Sequence, residues 1–422
     1  MHKDARSFLA GLGLALLVPG SAAAELRPAS GVFEIAKEIS FGFGVDPSGG
    51  AADLTRSQIT VAAAPGGFAV AWAEERLFQP AVTESVVKGR LVGLDGALGA
   101  EFSASQPDVP GVVRRVACPN MASLGGRFAL AWAQDQAAGR DLWLQRFTPQ
   151  GVADGAPAAH FVAVESLHDQ PWVAGSPSGR SALAWLETRV VGAARKLETV
   201  YRAQGFAADG LPATPEIELA LVPRQSTFRP AVTIDLAGRF TAVWLVPNPA
   251  TSTAALWTQS FRADGTPAGA AERLGRSAVD GVAAFRRGSR VVVVWAQRTA
   301  AGTRLMGSTL GLDGRPRGTA QPLLTGLTSF ASPTLLAAAT GDLVLAWLDG
   351  DRLRALQLGP DLAPKGTIVE IAGARPDLPL ARGQGVGAAL SGSRLLLAWA
   401  GELPAGLCPE NAVRGQLFDL AP

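Results

Sequence analysis

The chain has 422 residues, 48% of them apolar and 18% charged, with a net charge of +2. Its 49 Gly and 29 Pro make up about 18% of the residues against a usual 12% or so, and the charged fraction falls below the roughly 25% of an ordinary soluble domain. That excludes disorder, a coiled coil and an α-rich bundle; three His and two Cys leave little material for imidazole or metal chemistry, so neither metal nor cofactor is expected.

At the N-terminus a short charged segment (Lys3, Asp4, Arg6) precedes an apolar run over 8–18 and then Ala22, Ala23 and Ala24. This order is that of a secretory signal peptide cleaved after Ala24, and the apolar run is too short for the roughly 20 residues of a spanning helix. Residues 1–24 are therefore expected to be a signal peptide and 25–422 a single extracytoplasmic domain. Removing 1–24 takes two basic and one acidic group from the 38 and 36 of the whole chain, which leaves a net charge of +1. So even a balance offers no basic cluster for nucleic acid or anionic lipid.

Seven segments share one pattern: a Gly, then an alternating run that ends in Trp, at Trp72, Trp132, Trp185, Trp244, Trp295, Trp347 and Trp399. Their spacings are 60, 53, 59, 51, 52 and 52 residues. Within each segment Phe128, Leu130 and Trp132, or their equivalents, point one way and Ala129 and Ala131 the other, as a strand requires. Both faces are apolar, so each strand is buried on both sides, large residues of one sheet meeting small residues of the next. One strand precedes each Trp strand, as at 229–234; another follows and ends at Phe147, Phe206 or Phe261. Next comes a turn, in four copies Asp-Gly (Asp95, Asp209, Asp264, Asp313), the hairpin signal of a type I′ turn. No copy has the alternating carboxylates of a calcium loop. A fourth strand, as at 367–372, completes the unit.

Four antiparallel strands per unit, repeated seven times, predict an all-β, seven-bladed β-propeller of four-stranded antiparallel blades. The last unit lacks its fourth strand. Near the start of the mature chain, Gly31-Val-Phe-Glu-Ile-Ala36 copies Gly366-Thr-Ile-Val-Glu-Ile-Ala372, the fourth strand of unit six, so this N-terminal strand is expected to complete the last blade and protect two sheet edges. The pattern GlyArgPheAlaLeuAlaTrp to Trp132, GlnArgPhe to Phe147 and AspGlyThrProAlaGly from Asp264 resembles the propeller repeats of exported and cell-surface bacterial proteins. The resemblance covers nearly the whole mature chain and implies the fold and the extracytoplasmic location, without an activity.

By analogy with other propellers, ligands meet the face where first strands begin and second strands end. Two residues past each Trp stand Glu74, Gln134, Glu187, Val246, Gln297, Asp349 and Gly401; the starts of the first strands add Arg114, Arg115, His168, Asp169, Gln170, Arg229 and Asp280. From these we expect Glu74, Arg115, His168, Glu187, Arg229, Asp280 and Asp349 to serve a ligand, against the plainer reading of solvated loop ends. His168 and Asp169, adjacent on a strand, point to opposite faces. Cys118 and Cys408 form an even pair in an oxidising compartment, which favours a disulfide, whereas placing Cys118 at the end of a first strand puts them on opposite faces, too far for one. The sequence has no Ser-x-Asp-x-Gly-x-Thr-Trp box, Gly-x-Ser-x-Gly elbow or His-Glu-x-x-His helix, and no catalytic residue stands out. The expectation is a monomeric binding or scaffold module that recognises a protein, glycan or cell-envelope component through this polar face. The alternative is a hydrolase or lyase acting on a polysaccharide through carboxylates at the channel mouth.

Overall fold

The computed structural model describes residues 26–39, 59–78, 81–105, 115–136, 139–157, 159–161, 166–223, 228–248, 250–251, 253–350, 352–371, 386–402 and 411–420. The expected signal peptide, Arg114 and Cys408 lie outside the described residues. Every regular element among the described residues is a β-strand, and no helix is long and apolar enough to cross a membrane.

The strands pair with their sequence neighbours into antiparallel meanders. Ile59–Ala64, Gly67–Phe78, Ala81–Gly93 and Leu98–Ser103 form the first. Val116–Ser123, Phe128–Gln136 and Gly139–Phe147 follow, with Ala159–Phe161 on the outer strand; then Ser166–Gly175, Ser181–Val191, Lys196–Phe206 and Ile217–Val222. Ala231–Ile234, Phe240–Pro247 and Ala254–Phe261 run into the long strand Glu272–Arg287, whose second half starts the next meander with Arg290–Thr299, Gly302–Leu310 and Gln321–Leu327. Ala331–Ala337, Leu343–Asp349, Arg352–Leu358 and Pro364–Glu370 form another. The last consists of Val386–Ser391, Arg394–Glu402 and Asn411–Leu420, and its outer edge pairs with the N-terminal strands, Phe33 opposite Gly415 and Leu26 opposite Leu420.

The core lies between sheets, as two-sided apolar strands require. Trp132 shares a buried cluster with Ala69, Ala71 and Ala73 of the preceding meander, Trp185 with Ala129 and Ala131, and Trp244 with Ala182 and Ala184. In each case a large face fills the relief left by a small one.

The Asp-Gly hairpins differ from the expected type I′ turns. Gly96, Gly210, Gly265 and Gly314 have φ of +86, +90, +85 and +79°, but the preceding Asp residues do not enter the left-handed region. Each Gly N–H instead bonds a carbonyl three residues back, as Gly96 to Gly93 at 3.0 Å, and each Asp carboxylate accepts the N–H two residues on, as Asp95 from Ala97 at 3.0 Å. This is a type I turn closed by a left-handed glycine, the three-residue hairpin loop. Leu362 takes the same place without glycine, at φ +70°.

Candidate active site at the channel mouth

The first strands of the meanders surround a cavity of about 850 Å³, within the size range of ligand sites. Its walls run from Pro119, Arg229 and Ser332 at one end to Pro177, Leu236 and Gly288 at the other.

At the first end the strands carry a repeated irregularity. Register shifts fall between Ala117 and Asn120, Asp169 and Trp172, Val279 and Val282, and Ala331 and Thr334. Cys118, Gln170 and Ser332, each followed by Pro, sit there at φ +54, +51 and +47°. A bulge re-aims the side chains beside it, and non-glycine residues in the left-handed region gather where function over-determines the backbone. Arg229 precedes Pro230 in the corresponding place.

These bulges assemble one charged cluster from three meanders. Arg140, on Gly139–Phe147, donates through Nε to Asp135 at 2.6 Å and through Nη1 to Asp169 at 2.7 Å. Asp169 also accepts the Gln170 N–H at 2.8 Å and the Cys118 thiol at 3.4 Å. Cys118 therefore lies near the start of Val116–Ser123 rather than at the end of a first strand as expected. Burial, reinforced by Asp169, pushes its thiol up to about 12. Burial opposes the charge of Arg140, but Asp169 and Asp135 outweigh it and hold the guanidinium above its usual range. For Arg229 burial wins: its pKa is lowered despite the neighbouring Cys118 and Asp169.

Of the seven candidate residues, Arg229 lines the cavity. Glu74, Glu187 and Asp349 instead tie second strands to third strands. Glu74 pairs with Lys88 at 3.1 Å; Glu187 accepts from Arg202; Asp349, buried, takes Arg354 and the N–H groups of Thr328 and Ser329 at 2.7 and 2.8 Å. The reason is register: Lys88, Arg202 and Arg354 lie opposite Trp72, Trp185 and Trp347, which sets each diagonally across from the carboxylate two residues past its Trp. His168 is buried beside Glu187, Nε2 at 3.8 Å from the carboxylate, with Nδ1 3.2 Å from the Phe161 carbonyl. His168 and Asp169 do diverge. Burial works against the Glu187 charge, but His168 and the hydrogen-bonded Arg202 beside it hold its carboxyl at about 2. The Arg115 carbonyl accepts the Asp135 N–H at 2.7 Å; Asp280 falls in a bulge, its side chain outside the described residues. Asp135 and Arg140 escaped the sequence reading. The repeated X-Pro, inside three first strands (Cys118-Pro119, Gln170-Pro171, Ser332-Pro333) and just before a fourth (Arg229-Pro230), is the pattern that marks the mouth.

No family model and no curated protein matches the chain. Among solved structures, the polysaccharide lyase Uly1 matches with 9% identity and a TM-score of 0.48, over 94% of this chain and 100% of its own. The endosialidase of phage phi92 matches with 10% identity and a TM-score of 0.46, over 95% and 70%. The sialidase of Trypanosoma rangeli matches with 10% identity and a TM-score of 0.43, over 93% and 60%. All three TM-scores lie below 0.5, and the all-β character of the chain rests on its own strands. The expectation of a binding or scaffold module without chemistry is corrected: these neighbours are glycan-acting enzymes, and the alternative of a polysaccharide-acting hydrolase or lyase fits them better. The case for chemistry in this chain is built on its own channel-mouth residues.

Proposed function

We propose that the chain is an exported, monomeric, seven-bladed propeller, with residues 1–24 its signal peptide, closed by its N-terminal strand and cleaving a polysaccharide at the channel mouth as a hydrolase or lyase. The contacts between first strands support closure: Val386–Ser391 adjoins Ile59–Ala64 at one side and Ala331–Ala337 at the other. Trp72 supports it too, sharing a buried cluster with Ile35, Leu396 and Ala398.

The observation that carries the activity is the pair Asp135 and Asp169, bridged by Arg140 beside a cavity large enough for sugar rings. Two carboxylates bonded to one guanidinium stand within the roughly 5 to 10 Å that acid–base cleavage of a glycosidic bond uses. In hydrolysis one protonates the leaving oxygen and the other activates the water that attacks the sugar carbon; in elimination one takes the carbon-bound proton, the guanidinium offsets the charge that develops, and the C–O bond breaks as the other carboxyl protonates the departing glycosidic oxygen. Asp169 is 20% exposed and Asp135 34%, so both remain within reach of substrate.

The test is a panel of neutral and acidic polysaccharides incubated with the purified mature protein, read by new reducing ends and by the ultraviolet absorbance of unsaturated products. Asp169→Asn should lower the rate about 10²- to 10⁴-fold with the fold intact. A wild-type protein that leaves every polysaccharide whole refutes the reading. N-terminal sequencing of the exported form should start at Glu25, and sedimentation should give the mass of one chain.

A further inference from the structure

The hairpins that join first to second strands, at the end of the cavity away from Asp135 and Asp169, carry arginine in several copies. Two of these are neutralised within their own meander: Arg127 pairs with Asp154 at 3.1 Å and Arg394 with Asp419 at 2.8 Å. The hairpins around 176–180, 235–239 and 287–290 differ. Arg180, Arg287 and Arg290 have no ion pair among the described residues. Arg239 and Arg286 converge on one atom, Asp235 Oδ2, at 2.7 and 2.8 Å, so two guanidiniums stand side by side on a single carboxylate. The other Asp235 oxygen accepts the N–H groups of Ala237 and Arg239 at 3.0 and 2.9 Å, which leaves that carboxylate fully used.

Arg180 reaches the same turn from the preceding hairpin. Its Nη1 lies 3.1 Å from where a Cβ on Gly238 would stand, and Ser178 beside it donates to the Leu236 carbonyl at 3.0 Å. Three positive charges thus meet one negative at the 235–239 turn. On the outer hairpins of this sector Asp209 and Asp264 each accept an N–H of their own turn at 2.9 Å, and Asp264 has Arg262 beside it, so the inner excess stands. The even balance of charge along the whole chain conceals it.

The donors are open to a ligand. The Arg239 side chain is 45% exposed, and Arg180 is half-buried with no nitrogen sealed from solvent. Arg286 is 5% exposed; burial, with Arg239 next to it, lowers its pKa despite Asp235, so it supplies charge from behind rather than contact. Arg239, Arg286 and Leu236 line this end of the cavity. A single guanidinium fork matches a planar carboxylate. Guanidiniums that arrive from separate hairpins suit a tetrahedral group whose oxygens point in different directions, and an excess of two charges matches a phosphate dianion with its three acceptor oxygens.

We propose that Arg180 and Arg239, backed by Arg286, form a site at this end of the cavity for a phosphate dianion, either the free ion or a phosphomonoester on a sugar. The site is independent of the cleavage chemistry proposed for the opposite end.

The experiment measures binding of inorganic phosphate, methyl glucoside 6-phosphate, methyl glucuronoside and methyl glucoside to the full mature protein at about pH 8, where phosphate is mostly a dianion, by calorimetry and phosphorus NMR. At least one phosphate should bind, the glucuronoside at least about tenfold more weakly, and the neutral glucoside more weakly still. Arg239→Gln and Arg180→Gln should each weaken phosphate binding at least about fivefold, whereas Arg127→Gln, at a hairpin neutralised by Asp154, should leave it unchanged. Tighter binding of the sugar phosphate than of inorganic phosphate upholds the site as one for a phosphorylated sugar; equal or weaker binding upholds it as one for the free ion. No binding of either phosphate by the wild type, equal binding of the glucuronoside, unchanged affinity in folded Arg239→Gln, or an equal loss in Arg127→Gln overturns the proposal. Should Arg239→Gln fail to fold, unchanged affinity in Arg180→Gln overturns it instead.

Discussion

Closure of the ring is tested by comparing two tryptophans with the same local role. Trp244 is 2% exposed in the middle of the chain, against the Ala182 and Ala184 face of the meander before it. Trp72 is 1% exposed and shares its cluster with Leu396 and Ala398 from the other end of the chain and Ile35 from the N-terminal strand. Truncating either to Ala removes roughly 150 to 250 Å² of buried ring, which at about 25 cal/mol per Å² amounts to about 4 to 6 kcal/mol. Measured aromatic truncations fall near 3 to 5 kcal/mol. In a closed ring the two costs are equal within about 1 kcal/mol. Guanidinium unfolding followed by far-ultraviolet circular dichroism measures both, with coincident probes to check that the transition stays two-state. If Trp72→Ala costs under about 1 kcal/mol while Trp244→Ala costs several, Trp72 faces an open sheet and the closure argument is wrong.

Deleting residues 25–40 strips the strand that pairs with Asn411–Leu420 and should lower the melting temperature more than Trp244→Ala does; unchanged melting refutes the clasp. The Glu187 carboxyl is held at about 2 against an ordinary 4.5. Its stabilising share is therefore complete above its unfolded pKa and fades as pH falls through the folded one. Glu187→Gln should cost about 1 to 2 kcal/mol near pH 7, after allowance for solvent screening, and the gap to wild type should close near pH 2; a gap independent of pH would contradict the assignment. Gly281→Ala places a methyl carbon 2.6 Å from Pro333 Cδ and 2.8 Å from the Phe330 carbonyl, which also accepts the Gly281 N–H at 3.1 Å. It should cost about 1 to 3 kcal/mol by overpacking, read from the unfolding midpoint, and a neutral effect would mean that the seam between these sheets yields.

The hairpins show where local reading stops. Asp-Gly fits both a type I′ turn and a type I turn closed by a left-handed glycine, because both need positive φ at the glycine. Only the backbone of Asp95 and its equivalents, outside the left-handed region, separates them. The carboxylates were misjudged for a related reason. Position two past Trp was visible in Glu74, Glu187 and Asp349, but the basic residues opposite the tryptophans that neutralise them become visible only with strand register in hand.

Alternation of period two, the recurring Gly-to-Trp run and the copied Glu-Ile-Ala segment settled the strands, the stacking of large faces on small ones and the pairing of Phe33–Ile39 with Asn411–Leu420. Each is a short-range pattern that directs side chains along one strand or repeats at a fixed interval, and so survives in one dimension. The mouth cluster is different. Cys118, Asp135 and Arg140 come from one meander and Asp169 and Arg229 from the next two, and they meet beside bulges that turn side chains off the alternating pattern. Their distances depend on how the sheets pack against one another, and that packing exists only once the chain has folded.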